Sequence, residues 1–208
     1  MKLNKFFLLF ILLIFVTNCA FLLKPAENDK EKLLSVHLKF WENIRIDGII
    51  EANYKSFVFR KNITIKKNSS AFRVDIYDSG IFGMQPTPFI SAYYDSVLTI
   101  RTPDQQINQL NRENKEEFDL SVLFKLSDLF TIKDEIIKHQ KLNYEDAIIT
   151  FSDDMKISEI SNNTNPNKIV FHYLQNLASI TFYKDEKEII NIQIDKITHP
   201  SEEINRLN

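Results

Sequence analysis

The chain has 208 residues, with 26 Lys and Arg against 28 Asp and Glu, 44% hydrophobic residues, three glycines and one cysteine. That length gives one ordinary domain with a sizeable core, and the near-balanced charge excludes a broad basic field for nucleic acid. A lone cysteine excludes an internal disulfide and a cysteine-rich metal site.

The first element is a leader. Lys2 and Lys5 give a positive start, and Phe6 to Val16 is an unbroken apolar run. Val16-Thr17-Asn18-Cys19 follows, and Cys19 is the only cysteine. Charge, apolar stretch and short residues in that order mark a secretory leader. An uncleaved transmembrane helix over Phe6–Leu23 is the rival reading, since a span needs about 20 residues; Thr17 and Asn18 interrupt it. Either reading puts the body in a non-cytoplasmic compartment.

The Val16–Cys19 pattern resembles the lipobox of bacterial lipoproteins, with an aliphatic residue, a small one, and then Asn18 where the pattern has Ala or Gly. The resemblance implies that the Cys19 thiol is acylated and the chain is cut before it. The membrane is then a partner through palmitate-type acyl chains. Several chains hold firmly where one holds only marginally. Ala20, in place of an Asp, leans toward the outer membrane, facing the periplasm. The chain divides into a signal peptide (1–18), a lipidated tether (19–30) and a single domain (31–208).

Glu31 to Asn43 reads as an amphipathic helix, with Leu33, Leu34, His37, Phe40 and Trp41 at helical spacing. His37 lies on the apolar stripe with no second His or Cys at metal spacing, which makes it a packed histidine rather than a ligand. From Ile44 the period changes to two. Ile44–Tyr54, Phe57–Ile65 and Phe72–Tyr77 alternate apolar and polar residues, as half-buried strands of an antiparallel sheet do. Phe89–Tyr94 and Val97–Thr102 are two more. The triplet Lys61, Lys66 and Lys67 reads as a solvated strand end. Between the third and fourth strands, the loop 79–88 has two of the three glycines and two of the six prolines, yet carries Ile81, Phe82 and Met84.

Residues 103–115 are polar and read as loop. Asp119 or Ser121 can cap a helix over Val122–Phe130, and Lys133–Gln140 can form a second helical piece. Strands return at Ala147–Phe151, Lys156–Ile160, Lys168–Tyr173, Ser179–Lys184 and Ile189–Ile197, the last with Ile190, Ile192 and Ile194 inward. The last eleven residues are polar and read as frayed or a short helix.

The fold class is therefore α+β. Helix, about five strands, helical insert and about five strands form that order, and it resembles the lipoprotein-localisation-factor superfamily, the LolA/LolB-like proteins. Phe72-Arg73-Val74-Asp75, as a third-strand pattern, and the Gly-containing loop after it also carry the resemblance. It implies a strongly curved antiparallel sheet of about ten strands, an unclosed half-barrel lidded by the N-terminal helix and the mid-chain helical insert. It also implies a monomer that handles lipid or a lipoprotein's acyl chain in its cavity. Ile46, Ile50, Phe57, Phe59, Ile63, Phe72, Val74, Phe171 and Phe182 are the inward candidates to line that cavity, though cavity and core have the same sequence pattern. Ile81, Phe82 and Met84 stand where such receptors have a membrane-touching loop.

Chemistry is sparse. There is no G-x-S-x-G elbow, no H-E-x-x-H and no phosphate loop. His37, His139, His172 and His199 are far apart in sequence, and Asp153-Asp154 reads as a hairpin tip. The expectation is a non-enzyme with no cofactor and no metal. Two functions stay open: lipid or acyl-chain handling, and a structural or assembly lipoprotein whose sheet binds protein.

Overall fold

The computed structural model describes residues 27–54, 57–78, 87–104, 106–110, 128–144, 147–200 and 203–207. The leader, Cys19, the loop carrying Ile81, Phe82 and Met84, and most of the expected 122–130 helix lie outside the described residues.

Twelve strands form one sheet: β1 (Ile44–Tyr54), β2 (Phe57–Lys67), β3 (Phe72–Tyr77), β4 (Pro88–Tyr94), β5 (Leu98–Arg101), β6 (Ile107–Leu110), β7 (Lys141–Tyr144), β8 (Ala147–Phe151), β9 (Ile157–Asn162), β10 (Lys168–Tyr173), β11 (Leu177–Lys184) and β12 (Lys187–Thr198). Their order is β6-β5-β4-β3-β2-β1-β12-β11-β10-β9-β8-β7, with every neighbour antiparallel. Two six-stranded meanders are thus zipped together by the pairing of β1 with β12, and the sheet does not close. The count exceeds the expected ten because β6 and β7 are four-residue strands that polar residues hide: Ile-Asn-Gln-Leu and Lys-Leu-Asn-Tyr. Short strands of that composition carry too few alternations to show a period.

Curvature comes from bulges. The register slips at Asp47/Gly48, Ile76/Tyr77, Thr150/Phe151, His172/Tyr173 and Phe182/Tyr183. Each inserts an unpaired residue and increases local twist. At the first slip, a Cβ on Gly48 would lie 2.2 Å from the Gln193 carbonyl oxygen. Only a residue without a side chain lets β1 and β12 approach there. At the β11–β12 tip, Asp185 and Glu186 both have positive φ, 50° and 63°, as a tight two-residue hairpin turn requires.

Helix α1 (Glu27–Phe40) begins four residues before the apolar period suggests and ends three earlier. A 3-10 turn over Asp128–Ile132 leads into α2 (Lys133–His139). The Gln140 amide donates to the Ile136 carbonyl from a left-handed conformation, which ends α2 at once. Leu34 and Leu38 from α1, Trp41 just after it, Leu129 from the turn, and Ile136 and Ile137 from α2 are buried together with Ile149, Ile157, Ile169 and Phe171 of the sheet. Burial of this kind is worth about 1.5–3 kcal/mol per large side chain. The helices therefore fill one side of the inner face. Lys133 of α2 pairs with Glu31 of α1, which clamps the two together at the surface.

Candidate functional site

Register fixes what faces inward. Across β1–β5 the inner rows are Ile46–Ile65–Val74–Ala92–Ile100, Gly48–Ile63–Ile76–Ile90, and Ile44–Lys67–Phe72–Tyr94–Leu98. Ile46, Ile50, Ile63 and Phe171 are buried in the core, and Phe59, Phe72, Val74 and Phe182 are partly buried against it. Phe57 is in β2 opposite Tyr54, but its side chain lies outside the described atoms. Phe171 is covered by the Trp41 indole, with ring centroids 5.7 Å apart and nearly perpendicular. The other wall differs. Phe72, Val74, Ile76, Ile90, Ala92, Tyr94, Leu98 and Ile100 are all only half-buried.

On β3 and β4 the order of burial is the reverse of an ordinary amphipathic strand. The deeply buried side chains are Asp75, Ser91 and Tyr93, on the outer face. Arg73 holds Asp75 through two nitrogens, Nε to Oδ2 at 2.8 Å and Nη2 to Oδ1 at 3.0 Å, and Ser91 Oγ donates to Asp75 Oδ1 at 2.7 Å. Arg45, Asp47 and Thr64 repeat the arrangement one pair of strands away, Thr64 Oγ1 donating to Asp47 Oδ1 at 2.8 Å. Burial pushes the Asp47 carboxyl up, but the Arg45 and Thr64 hydrogen bonds and the Arg45 charge outweigh it and hold it below its ordinary value. The C-terminal segment covers this face. Arg73 Nη1 donates to the Asn205 carbonyl at 2.9 Å, and Arg206 pairs with Asp95 at 2.5 Å. The expected frayed or helical end is instead, over 203–207, a non-helical segment pinned to β3 and to the turn after β4. Polarity hides that role, because the partners, Arg73 and Asp95, are more than a hundred residues away.

Two of the three lysines, Lys61 and Lys67, differ from their expected solvated state. Lys67 is 5% exposed, and its Nζ donates to the Trp41 carbonyl at 2.7 Å, capping the end of α1. Burial lowers its pKa to about 8, opposed by the Glu42 charge. The Lys61 side chain is 19% exposed and pairs with Asp78 at 2.5 Å. Strand alternation carries both inward, and the apolar neighbours in the row gave no sign of a solvent route.

His37 is packed, as its place on the stripe suggests. Its Nε2 accepts from Trp41 Nε1 at 3.1 Å and from the Ile157 amide at 2.9 Å. An imidazole accepting twice at one nitrogen is neutral, with its proton on Nδ1. Its pKa is lowered to about 4, most by burial and further by the Lys156 charge, with Asp154 opposing. Nearby, the buried Tyr173 hydroxyl has no hydrogen-bond partner among the described residues, and burial, then the Asp154 charge, push its pKa up. Asp153 and Asp154 are exposed in the β8–β9 turn, Asp154 paired with Lys156. Among the described residues no three His, Cys, Asp or Glu come together as metal ligands. No described helix is long and apolar enough to cross a membrane.

No family model matches the chain, and no curated protein does. Solved structures do. A domain assigned to an outer membrane lipoprotein-sorting protein of Vibrio parahaemolyticus aligns over 85% of this chain and 94% of its own, at 8% identity and a TM-score of 0.47. A LolA superfamily protein from Nitrosomonas europaea aligns over 84% and 95%, at 7% identity and a TM-score of 0.44. A DUF1329 family protein from Desulfovibrio piger aligns over 83% and 92%, at 8% identity and a TM-score of 0.37. The described residues form an open antiparallel sheet with two helices, the architecture that the order of the elements suggests.

Proposed function

We propose that this chain is a bacterial envelope lipoprotein that holds an acyl chain against the inner wall of β2–β5. The leader is removed before Cys19, Cys19 is acylated, and the body stands in the periplasm on the outer membrane. Phe82, with Ile81 and Met84, touches the bilayer during transfer. The observation that carries the reading is the unequal filling of the inner face. α1 and α2 bury the β8–β11 side, whereas Phe72, Val74, Ile76, Ile90, Leu98 and Ile100 remain half-buried. Leaving apolar area in contact with water costs about 25 cal/mol per Å², which a hydrocarbon chain laid along the wall recovers. Among the described residues that wall is apolar apart from Lys61, Lys67 and Tyr94, a lining suited to binding hydrocarbon.

Two measurements test this. Intact mass of the protein extracted from membranes is expected to show Cys19 as the first residue, carrying acyl groups. The chain from residue 27 onward, purified without detergent and extracted, is expected to yield stoichiometric lipid by mass spectrometry. A lipid-free body that retains envelope proteins supports the other reading, a structural or assembly lipoprotein whose sheet binds protein.

A further inference from the structure

Register places two charged side chains in the inner rows of β1–β5, Lys61 and Lys67, both on β2. Lys67 is tied to the end of α1. Lys61 has a different setting. It pairs across the sheet with Ile50 and stands between Phe59 and Ile63 in its row. Its ammonium lies 4.8 Å from the Phe89 ring centroid and 2.5 Å from Asp78 Oδ1. The Lys61 side chain is 19% exposed, but that of Asp78 is 59% exposed. The cation therefore sits within the apolar wall while its counter-ion stands on the water side.

A mostly buried cation needs an anion close by. Asp78 supplies one from solvent, and an ion pair to a carboxylate so exposed is worth little. A ligand anion arriving with a hydrocarbon tail replaces it in drier surroundings, where the same charge pair is stronger. The half-buried apolar residues next in line, Val74, Ile76 and Ile90, offer the tail a track away from the charge. We propose that Lys61 is the head-group site for a single-chain anionic amphiphile whose hydrocarbon runs along the inner wall. The head is a carboxylate or a phosphate ester, each able to take the lysine N–H donors. This rests on the acyl-chain reading above and adds to it a charge requirement.

The test uses the full-length protein in isolated membranes, with three diazirine-tailed probes: a long-chain fatty acid, a lysophosphatidic acid and a neutral long-chain alcohol. Cross-linked peptides are mapped for the native chain, Lys61→Met, Lys61→Arg and Asp78→Asn. Peptides from β2–β4 are expected to be labelled by an anionic probe. Lys61→Met is expected to lower that labelling about tenfold, the worth of one charge-assisted hydrogen bond. Lys61→Arg retains it, Asp78→Asn raises it, and alcohol labelling does not change. The probe that loses labelling identifies the head, carboxylate or phosphate, and either supports the proposal. Equal anionic labelling of native and Lys61→Met protein, with both melting at the same temperature, overturns the head-group site and leaves the acyl-chain reading standing. Absence of β2–β4 labelling by all three probes in the native protein overturns both.

Discussion

His37 gives a direct handle on how α1 is held to the sheet. Its Nε2 accepts from the Trp41 indole and the Ile157 amide, so one ring nitrogen joins helix, helix end and strand β9. Both donors lose their acceptor if that nitrogen is protonated. Burial lowers the pKa from 6.5 to about 4, a difference of about 3 kcal/mol between the charged and neutral forms. The unfolded chain takes up the proton first as pH falls. The contribution is therefore fully present above pH 6.5 and is lost progressively as pH drops through 4. Urea unfolding at half-unit intervals from pH 7.5 to 4 measures it. Carboxylates titrate in the lower part of that range too, so the informative quantity is the difference from His37→Gln, whose amide oxygen still accepts but does not titrate there. The native chain is expected to lose about 3 kcal/mol more than His37→Gln by pH 4. Parallel curves for the two proteins would refute the neutral, doubly accepting histidine. His37→Phe, which leaves both donors unmet, is expected to cost about 2–5 kcal/mol at pH 7.

Other perturbations probe the remaining contacts. Gly48→Ala puts a methyl 2.2 Å from the Gln193 carbonyl at the seam of the two meanders, and is expected to cost more than about 2 kcal/mol; hydrogen exchange should rise along both β1 and β12. Asp75→Ala removes the partner of a mostly buried Arg73 and is expected to cost about 3–5 kcal/mol in chemical denaturation. Deleting residues 203–208 removes the Arg73 and Arg206 contacts and is expected to lower stability by about 1 kcal/mol while deprotecting β3 amides. Phe82→Asp is expected to abolish transfer of lipid cargo between membranes without lowering the melting temperature; equal loss of fold would remove the contact role of that loop.

What was legible in the sequence was periodicity. The alternation at Ile44–Ile65 and Phe72–Ile76 is the β1–β3 inner row, and of the helix stripe Leu34, His37, Phe40 and Trp41 pack on the core whereas Leu33 is exposed. What was not legible depends on distant partners. Lys67 looks solvated in a sequence because the Trp41 carbonyl that accepts its hydrogen bond is 26 residues away. Asp75 is equally opaque, since the Arg73 that holds it also donates to a chain end 132 residues away. β7 escaped because Lys-Leu-Asn-Tyr offers a single alternation, Leu142 and Tyr144 inward, before its hairpin partner begins. The nine inward candidates share one pattern, yet α1 covers Phe171 and leaves Phe72 and Val74 half-buried. No local signal separates those two fates, because the difference lies in where the helix lands.

The native chain carries its own reference for the central claim, since Trp41 is its only tryptophan and sits in the filled half. A second indole introduced as Val74→Trp stands on the half-buried wall. Titration with a long-chain fatty acid brominated along its tail is expected to quench the Val74→Trp fluorescence saturably and to leave the native Trp41 emission unchanged. Quenching of neither indole, or of Trp41 alone, would contradict an acyl chain lying along β2–β5.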